Sequence, residues 1–138
     1  MQGLSFPAVT AATAGALGIL QVGLVFYVGG GRHKYSIGFG DGGQEGMQRR
    51  IRMHGNLAEN APLLLILLGL VEISGAWPRW VTIIGLALVL CRVVHPIGLS
   101  MRFGPGPNIF RFVGAAGTTL VMLILSVLLL LVALPRWG

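Results

Sequence analysis

Charged residues are scarce in this chain, and cysteine is nearly absent. Of the 138 residues, 10% are charged and 54% are hydrophobic, and the mean hydropathy is +0.81. A soluble domain carries about a quarter charged residues, so this composition excludes that class and predicts an integral membrane protein. The chain has one cysteine, Cys91, which rules out an internal disulfide. Cys91 lies within an apolar run, and we interpret it as a buried apolar residue.

Acidic residues are few, with four Asp and Glu against ten Lys and Arg, for a formal net charge of +6. The cations flank apolar runs, so we expect anionic lipid headgroups and anionic ligands as partners, and no nucleic acid. No residues are assigned as metal ligands. A chain of this length has no room for a separate soluble module, and residues 1–138 are predicted to form one membrane domain.

Four apolar segments follow one another along the chain, each near or above the roughly 20 residues that cross a bilayer. We predict an all-α bundle of four transmembrane helices over residues 6–28, 47–73, 80–101 and 109–134. The first segment lacks the basic start of a secretory signal peptide, so we interpret it as a helix. Its one strongly polar residue, Gln21, is expected to bond a neighbouring helix.

A glycine-rich segment from Gly29 to Gly46 separates the first two spans and is predicted to be a loop. Gly38, Gly40 and Gly43 match the spacing G-x-G-x-x-G of nucleotide-binding loops. No βαβ unit surrounds them, so the match is weak. We interpret these glycines as a turn that needs positive φ.

Basic residues are distributed unevenly between the two ends of the predicted bundle. The end formed by the first and third loops gathers Arg32, Lys34, Arg49, Arg50, Arg52, Arg102 and Arg111. Only Arg79 and Arg136 lie at the other end. The positive-inside rule places the basic end in the cytoplasm and both termini outside. We expect the membrane to be a bacterial inner membrane.

Polar residues recur along one side of the second span. Arg49, Arg52, Asn56 and Glu59 are spaced i, i+3, i+7 and i+10, which places them on one stripe of a helix. Charge at the centre of a membrane helix costs roughly 2.5–3.5 kcal/mol per residue. Such a stripe therefore marks a functional site by default.

A second polar stripe occupies the third span, with Arg92, His95 and Arg102 at i, i+3 and i+10. Arg111 joins it from the head of the fourth span. The arginines outnumber Glu59, the one carboxylate of the stripes, so the surplus requires an anion from outside the chain. Guanidinium groups bind carboxylates bidentately, while Glu59 and Asn56 can receive an ammonium or amide. Glutathione has two carboxylates, one ammonium and a thiol, and a nearby cation would lower the thiol pKa from about 8.5.

These residues also carry a family resemblance. The run from Arg52 to Glu59, R-M-H-G-N-L-A-E, followed by Pro62 and Leu63, resembles the second helix of the MAPEG family. These are the membrane-associated proteins in eicosanoid and glutathione metabolism, and the glycine-rich loop is most similar to that of bacterial members. The run from Arg92 to His95 resembles the family's third helix.

The resemblance implies a homotrimer of four-helix subunits that binds glutathione, as cosubstrate, between neighbouring subunits. It also implies a glutathione transferase or peroxidase that acts on apolar electrophiles or lipid hydroperoxides. The glutathione contacts that it implies are Arg52, Asn56, Glu59, Arg92 and His95, with His54 at a position where relatives have a polar contact. Arg49 is added because it continues the stripe of the second span.

The family's thiol-activating arginine lies near the start of the fourth helix, where Arg111 and Arg102 are both candidates for the catalytic role. Arg32 instead matches a first-loop arginine that some members use. Asn60 and Leu99 stand where several members have tyrosines. A non-catalytic lipid-binding or scaffold protein of the same fold is therefore the main alternative.

Two further alternatives remain. A four-span exporter coupled through Glu59 is disfavoured because arginines crowd that carboxylate. In a purely structural interpretation, the two stripes satisfy each other across helices.

Overall fold

The protein is a bundle of four long helices. The structure, a computed structural model, describes residues 6–101 and 108–136. The helices are α1 (Ala8–Tyr35), α2 (Glu45–Ile73), α3 (Pro78–Ser100) and α4 (Ile109–Ala133), and a short 3-10 turn, Leu134–Arg136, follows α4. Each of the four is long and apolar enough to cross a membrane. The predicted all-α class and the four spans are thereby confirmed.

The first helix continues to Tyr35, so the loop predicted from Gly29 begins too early. Glycine is a poor helix former in water, which is why its run predicted a loop. In a membrane, a helix keeps every backbone N–H and C=O bonded, and this favours continuation. Gly31 also lets α2 approach closely, because a Cβ there would lie 2.5 Å from Arg50 Cδ and 2.9 Å from Met47 Sδ.

The residue that follows α1, Ser36, has a left-handed backbone with φ 53° and caps the helix. The Ser36 N–H donates to His33 O and the Ile37 N–H donates to Arg32 O, which together form a Schellman cap. In the loop that follows, φ is 67° at Gly40 and 72° at Gly43. The predicted turn with positive φ is confirmed at Gly40 and Gly43 but not at Gly38, the third glycine of the predicted set, whose φ is not positive.

The backbones of the third and fourth helices come into close contact where the helices cross. A Cβ on Gly114 would lie 2.7 Å from His95 Cα, and a Cβ on Gly98 would collide with the backbone N of Arg111. Gly98 of α3 and Gly114 of α4 therefore each let the two backbones meet, as small residues do in membrane helices. The close approach fixes His95 against α4 and the head of α4 against the end of α3.

The start of α1 is tied to the end of α2 through Glu72. Its carboxylate accepts hydrogen bonds from Val9 N and Thr10 N at 2.8 Å each, and from Thr10 Oγ1 at 2.7 Å. These backbone N–H groups lie in the first turn of α1, which has no partners of its own for them. A carboxylate there also complements the positive end of the helix dipole. Glu72 thus supplies from another helix the cap that Pro7 does not provide.

Candidate functional site

Arg92 is the most deeply buried charge of the described residues, with 2% of its surface exposed. Its Nη1 donates to Asn56 Oδ1 at 3.0 Å and to Asn56 O at 3.3 Å, and its Nη2 donates to Gly114 O at 3.5 Å. Its Nε is buried with no partner among the described residues. Every acceptor that Arg92 uses is neutral, so the guanidinium joins α2, α3 and α4 without a counter-ion from those residues.

Asn56 is held in place from its own helix. Its carbonyl oxygen also accepts a hydrogen bond from Asn60 Nδ2, at 2.8 Å. Two side-chain donors, from Asn60 and Arg92, therefore converge on this carbonyl, and the Asn56 side-chain oxygen accepts from Arg92. At this pair, a residue of the α2 stripe contacts a residue of the α3 stripe.

His95 lies one turn beyond Arg92 and is 6% exposed. It packs against the backbone at Gly114, so it lies at the crossing of α3 and α4. Arg92 meets Asn56 one turn earlier on α3, and the structure therefore brings three of the predicted site residues into one region of the bundle.

Arg52 and Glu59 form an ion pair on α2, with 3.9 Å between Nη1 and Oε1. Their side chains are 61% and 60% exposed in the single chain. Both lie in a helix that is apolar and long enough to span a membrane. Charges that faced lipid there would be costly, so this face of α2 favours contact with protein or a polar ligand.

Arg49 donates to Glu45, one turn earlier on α2, and the two form an ion pair at the head of the helix. The Arg49 side chain is 29% exposed. His54 is half-buried on the same helix. Their predicted roles in ligand binding stay predictions.

The head of α4 carries Arg111, one of the two candidates for thiol activation. Arg111 is exposed, and its backbone N–H donates to Asn108 Oδ1 at 3.2 Å. Asn108 also donates through Nδ2 to Gly98 O, so this cap ties α4 to α3. The other candidate, Arg102, lies outside the described residues. Sequence reasoning gave no role to Asn108, although an Asn before an apolar run is a recognised N-cap signal.

Two other arginines at this end of the bundle contact groups of the protein itself. Arg32 Nη1 donates to Gly38 O at 3.1 Å and Gly40 O at 3.4 Å, so it braces the loop between α1 and α2. Arg50 lies over the Tyr27 ring, 3.7 Å from its centroid, and donates to Tyr27 O. A cation held on an aromatic face in this way fixes α2 against α1.

Gln21 was expected to bond a neighbouring helix. Its amide oxygen is instead buried with no donor among the residues that the structure describes. The two helices α1 and α2 are antiparallel, since Thr10 meets Glu72 and Tyr27 meets Arg50. Gln21 falls between those contacts, at a depth near Asn56. An unpartnered acceptor and the unpartnered Nε of Arg92 thus share one layer of the bundle. The sequence marks Gln21 as a polar residue in an apolar span, but only the packing of the helices shows that its oxygen lacks a donor.

These features define a class of protein: a four-helix membrane fold with a buried arginine bonded to an asparagine of a neighbouring helix. The chain belongs to the MAPEG family, whose family profile matches residues 10–131. The predicted resemblance is confirmed.

Among individual proteins, the chain is similar to the inner membrane protein YecN of Escherichia coli strain K12. The two are 37% identical over 71 residues, which cover 51% of this chain and 54% of YecN. The YecN protein of Escherichia coli O6:H1 strain CFT073 matches with the same values. The matched stretch thus spans about half the length of these curated relatives. No solved structure matches the chain.

Proposed function

We propose that this protein binds glutathione within the membrane and uses it against apolar electrophiles or lipid hydroperoxides. The observation that carries the proposal is Arg92, a buried guanidinium bonded to neutral acceptors with Nε unpartnered. A buried cation without a counter-ion is costly, and an anionic ligand relieves that cost. MAPEG membership supports the same conclusion, since the family includes glutathione transferases and peroxidases.

The side chains in this region match glutathione group by group. Arg92 and Arg52 provide guanidinium groups for its two carboxylates. Glu59 and Asn56 provide oxygens for its ammonium and amide N–H groups. His95 closes this region from α3, and Arg49 and His54 extend it along α2.

The chemistry requires a thiolate, and a cation beside the sulfur stabilises that form. Arg111 is the described candidate for this role, with Arg102 as the second. In conjugation, the thiolate sulfur attacks an electrophilic carbon, a C–S bond forms and a leaving group such as halide departs with the electron pair. In the peroxidase reaction, two glutathione molecules and ROOH give glutathione disulfide, ROH and water.

We infer that the working unit is a homotrimer whose neighbouring subunits complete the site. The support is the exposure of Arg52 and Glu59, at about 60% each, on a membrane-spanning face of the single chain. A neighbouring subunit over this face would shelter both charges and enclose the ligand. Light scattering of the detergent-solubilised protein measures the subunit number, and a monomer that still binds glutathione would contradict this inference.

We also place the protein in a bacterial inner membrane, because the related YecN carries that description. The basic end, with Arg32, Lys34 and Arg50, is proposed to face the cytoplasm and both termini the outside. Labelling of single cysteines introduced at Lys34 and Arg136, in a Cys91→Ala background, checks this orientation. A reagent that does not cross the membrane should reach the cysteine at 136 and not the one at 34.

Calorimetric titration with glutathione tests the function directly. The wild type should bind, and Arg52→Gln should bind at least tenfold more weakly because a carboxylate loses its charged partner. Lys34→Gln is the matched control, since it removes one positive charge from the same end of the bundle and should bind like the wild type. Equal binding by all three proteins, or none by the wild type, would contradict the proposal.

The family's non-catalytic alternative keeps one specific observation in its favour. Asn60 stands where several members have a tyrosine, and its Nδ2 donates to Asn56 O within the helix. That N–H is therefore not directed to a ligand. Turnover with an aryl halide and with a lipid hydroperoxide separates the two functions. Glutathione binding without consumption of either substrate would favour a lipid-binding or scaffold protein.

A further inference from the structure

An apolar groove with a volume of about 580 Å³ runs between α3 and α4, and Arg92 is not among its lining residues. Trp77 and Trp80 line one end of the groove, Ala87 lines its middle, and Gly117 and the half-buried Cys91 line the other end. The prediction that Cys91 is buried is therefore wrong. A Cβ on Gly117 would lie 2.5 Å from Cys91 Sγ, so the two helices close together at that end. None of the lining residues is charged.

The length of the groove matches one leaflet of a bilayer. At 1.5 Å per residue, α3 rises about 16 Å between Trp80 and Cys91. The hydrocarbon core of a bilayer is about 30 Å thick, so this rise is about half of it. The two tryptophans lie at the start of α3, where a membrane helix carries its interfacial aromatic belt. The groove therefore begins at the interface and ends near the middle of the membrane.

A cation begins α3 beside the tryptophans that line this end of the groove. Arg79 lies between Trp77 and Trp80 along the chain, is exposed, and has no described carboxylate within ion-pair distance. Glu72, near the same end of the bundle, is occupied by the first turn of α1. The first turn of α3 thus carries an unpaired positive charge, which complements an anion at the headgroup level.

We propose that the groove between α3 and α4 is a phospholipid site that holds one acyl chain, with the lipid phosphate against Arg79. The apolar lining takes the chain, the depth of the groove suits a chain of one leaflet, and the cation in the first turn of α3 selects a phosphate over an uncharged headgroup. This site is separate from the one proposed for glutathione and does not depend on it.

Native mass spectrometry of the detergent-solubilised protein tests the proposal. Phosphatidylglycerol with a single oleoyl chain is titrated beside monoolein, which has the same single acyl chain and no phosphate. The wild type should retain phosphatidylglycerol and lose monoolein. Arg79→Gln should weaken retention about fivefold, the loss of one cation near a headgroup. Arg136→Gln, which removes the other positive charge of this end, is the matched control and should bind like the wild type.

Ala87→Phe fills the middle of the groove and should abolish retention, with circular dichroism as the check on folding. A second measurement needs no variant: phosphatidylglycerol should slow the modification of Cys91 by N-ethylmaleimide at least fivefold, and monoolein should not. Retention of monoolein equal to that of phosphatidylglycerol would overturn the headgroup contact. Unchanged retention in a folded Ala87→Phe protein, or a Cys91 rate indifferent to lipid, would overturn the site. A changed subunit number in Ala87→Phe would assign the groove to a second copy of the chain instead.

Discussion

The Nη1 of Arg92 donates to the Oδ1 of Asn56 across 3.0 Å, and this contact joins α3 to α2 inside the bundle. Asn56→Leu should destabilise the protein by about 2 kcal/mol, because a hydrogen bond to a charged group is lost in the interior. Unfolding by a denaturing detergent, followed by helical circular dichroism, gives this number. Asn60→Ala is the control and should cost about 1 kcal/mol or less, since it removes a neutral bond. An Asn56→Leu protein as stable as the wild type would show that Arg92 does not depend on this partner.

The glycines at the crossing of α3 and α4 should not tolerate a side chain. Gly114→Ala places a methyl group against the His95 backbone and should cost about 1–3 kcal/mol, the usual penalty of overpacking. It should also weaken glutathione binding, because His95 and Arg92 move with α3. Gly18→Ala is the matched control, since its added methyl group would meet no atom within 4 Å. Its thermal stability should equal or exceed that of the wild type, and equal losses in both variants would argue against a close helix contact.

Glu72 should stabilise α1 from a distance in sequence. Glu72→Gln replaces a charged acceptor of two backbone N–H groups by a neutral one and should cost about 1–2 kcal/mol. Hydrogen exchange should rise at residues 8–11, where the first turn opens. Thr10→Val keeps both backbone bonds, so its effect should be smaller. Unchanged exchange at these residues in Glu72→Gln would rule out the cap.

Replacement of Gln21 should not destabilise the protein, unlike the preceding substitutions. Its buried amide oxygen lacks a donor among the described residues, so Gln21→Leu should leave the ligand-free protein as stable as the wild type, or more stable. If a bound ligand donates to that oxygen, the same variant should bind glutathione more weakly. Melting temperatures with and without glutathione separate the two effects. A large loss of stability without ligand would mean that Gln21 has a partner in the working protein.

The overall architecture was predictable because hydropathy alone places four membrane spans, and all four are present. The layer around Arg92 was predictable in part, since a charge in an apolar helix requires a polar partner and Asn56 is one. The end of α1 was not, because the run from Gly29 to Gly31 reads as a loop unless the packing of Arg50 on Gly31 is known.

Other features depend on tertiary structure alone. The cap from Glu72 joins residues about 60 positions apart, and no local pattern marks it. The unpartnered oxygen of Gln21 is likewise invisible until the helices are packed. The exposure of Arg52 and Glu59 on a single chain is a third case, and it directs attention to a neighbouring subunit.

The central claim is that Arg92 awaits an anionic group, and a structure of the protein with glutathione tests it most directly. The account predicts a glutathione carboxylate oxygen about 2.7–2.9 Å from Arg92 Nε, the length of a charge-assisted hydrogen bond. A structure in which Nε is bonded to a group of the protein itself, with glutathione elsewhere or not bound, would contradict the account.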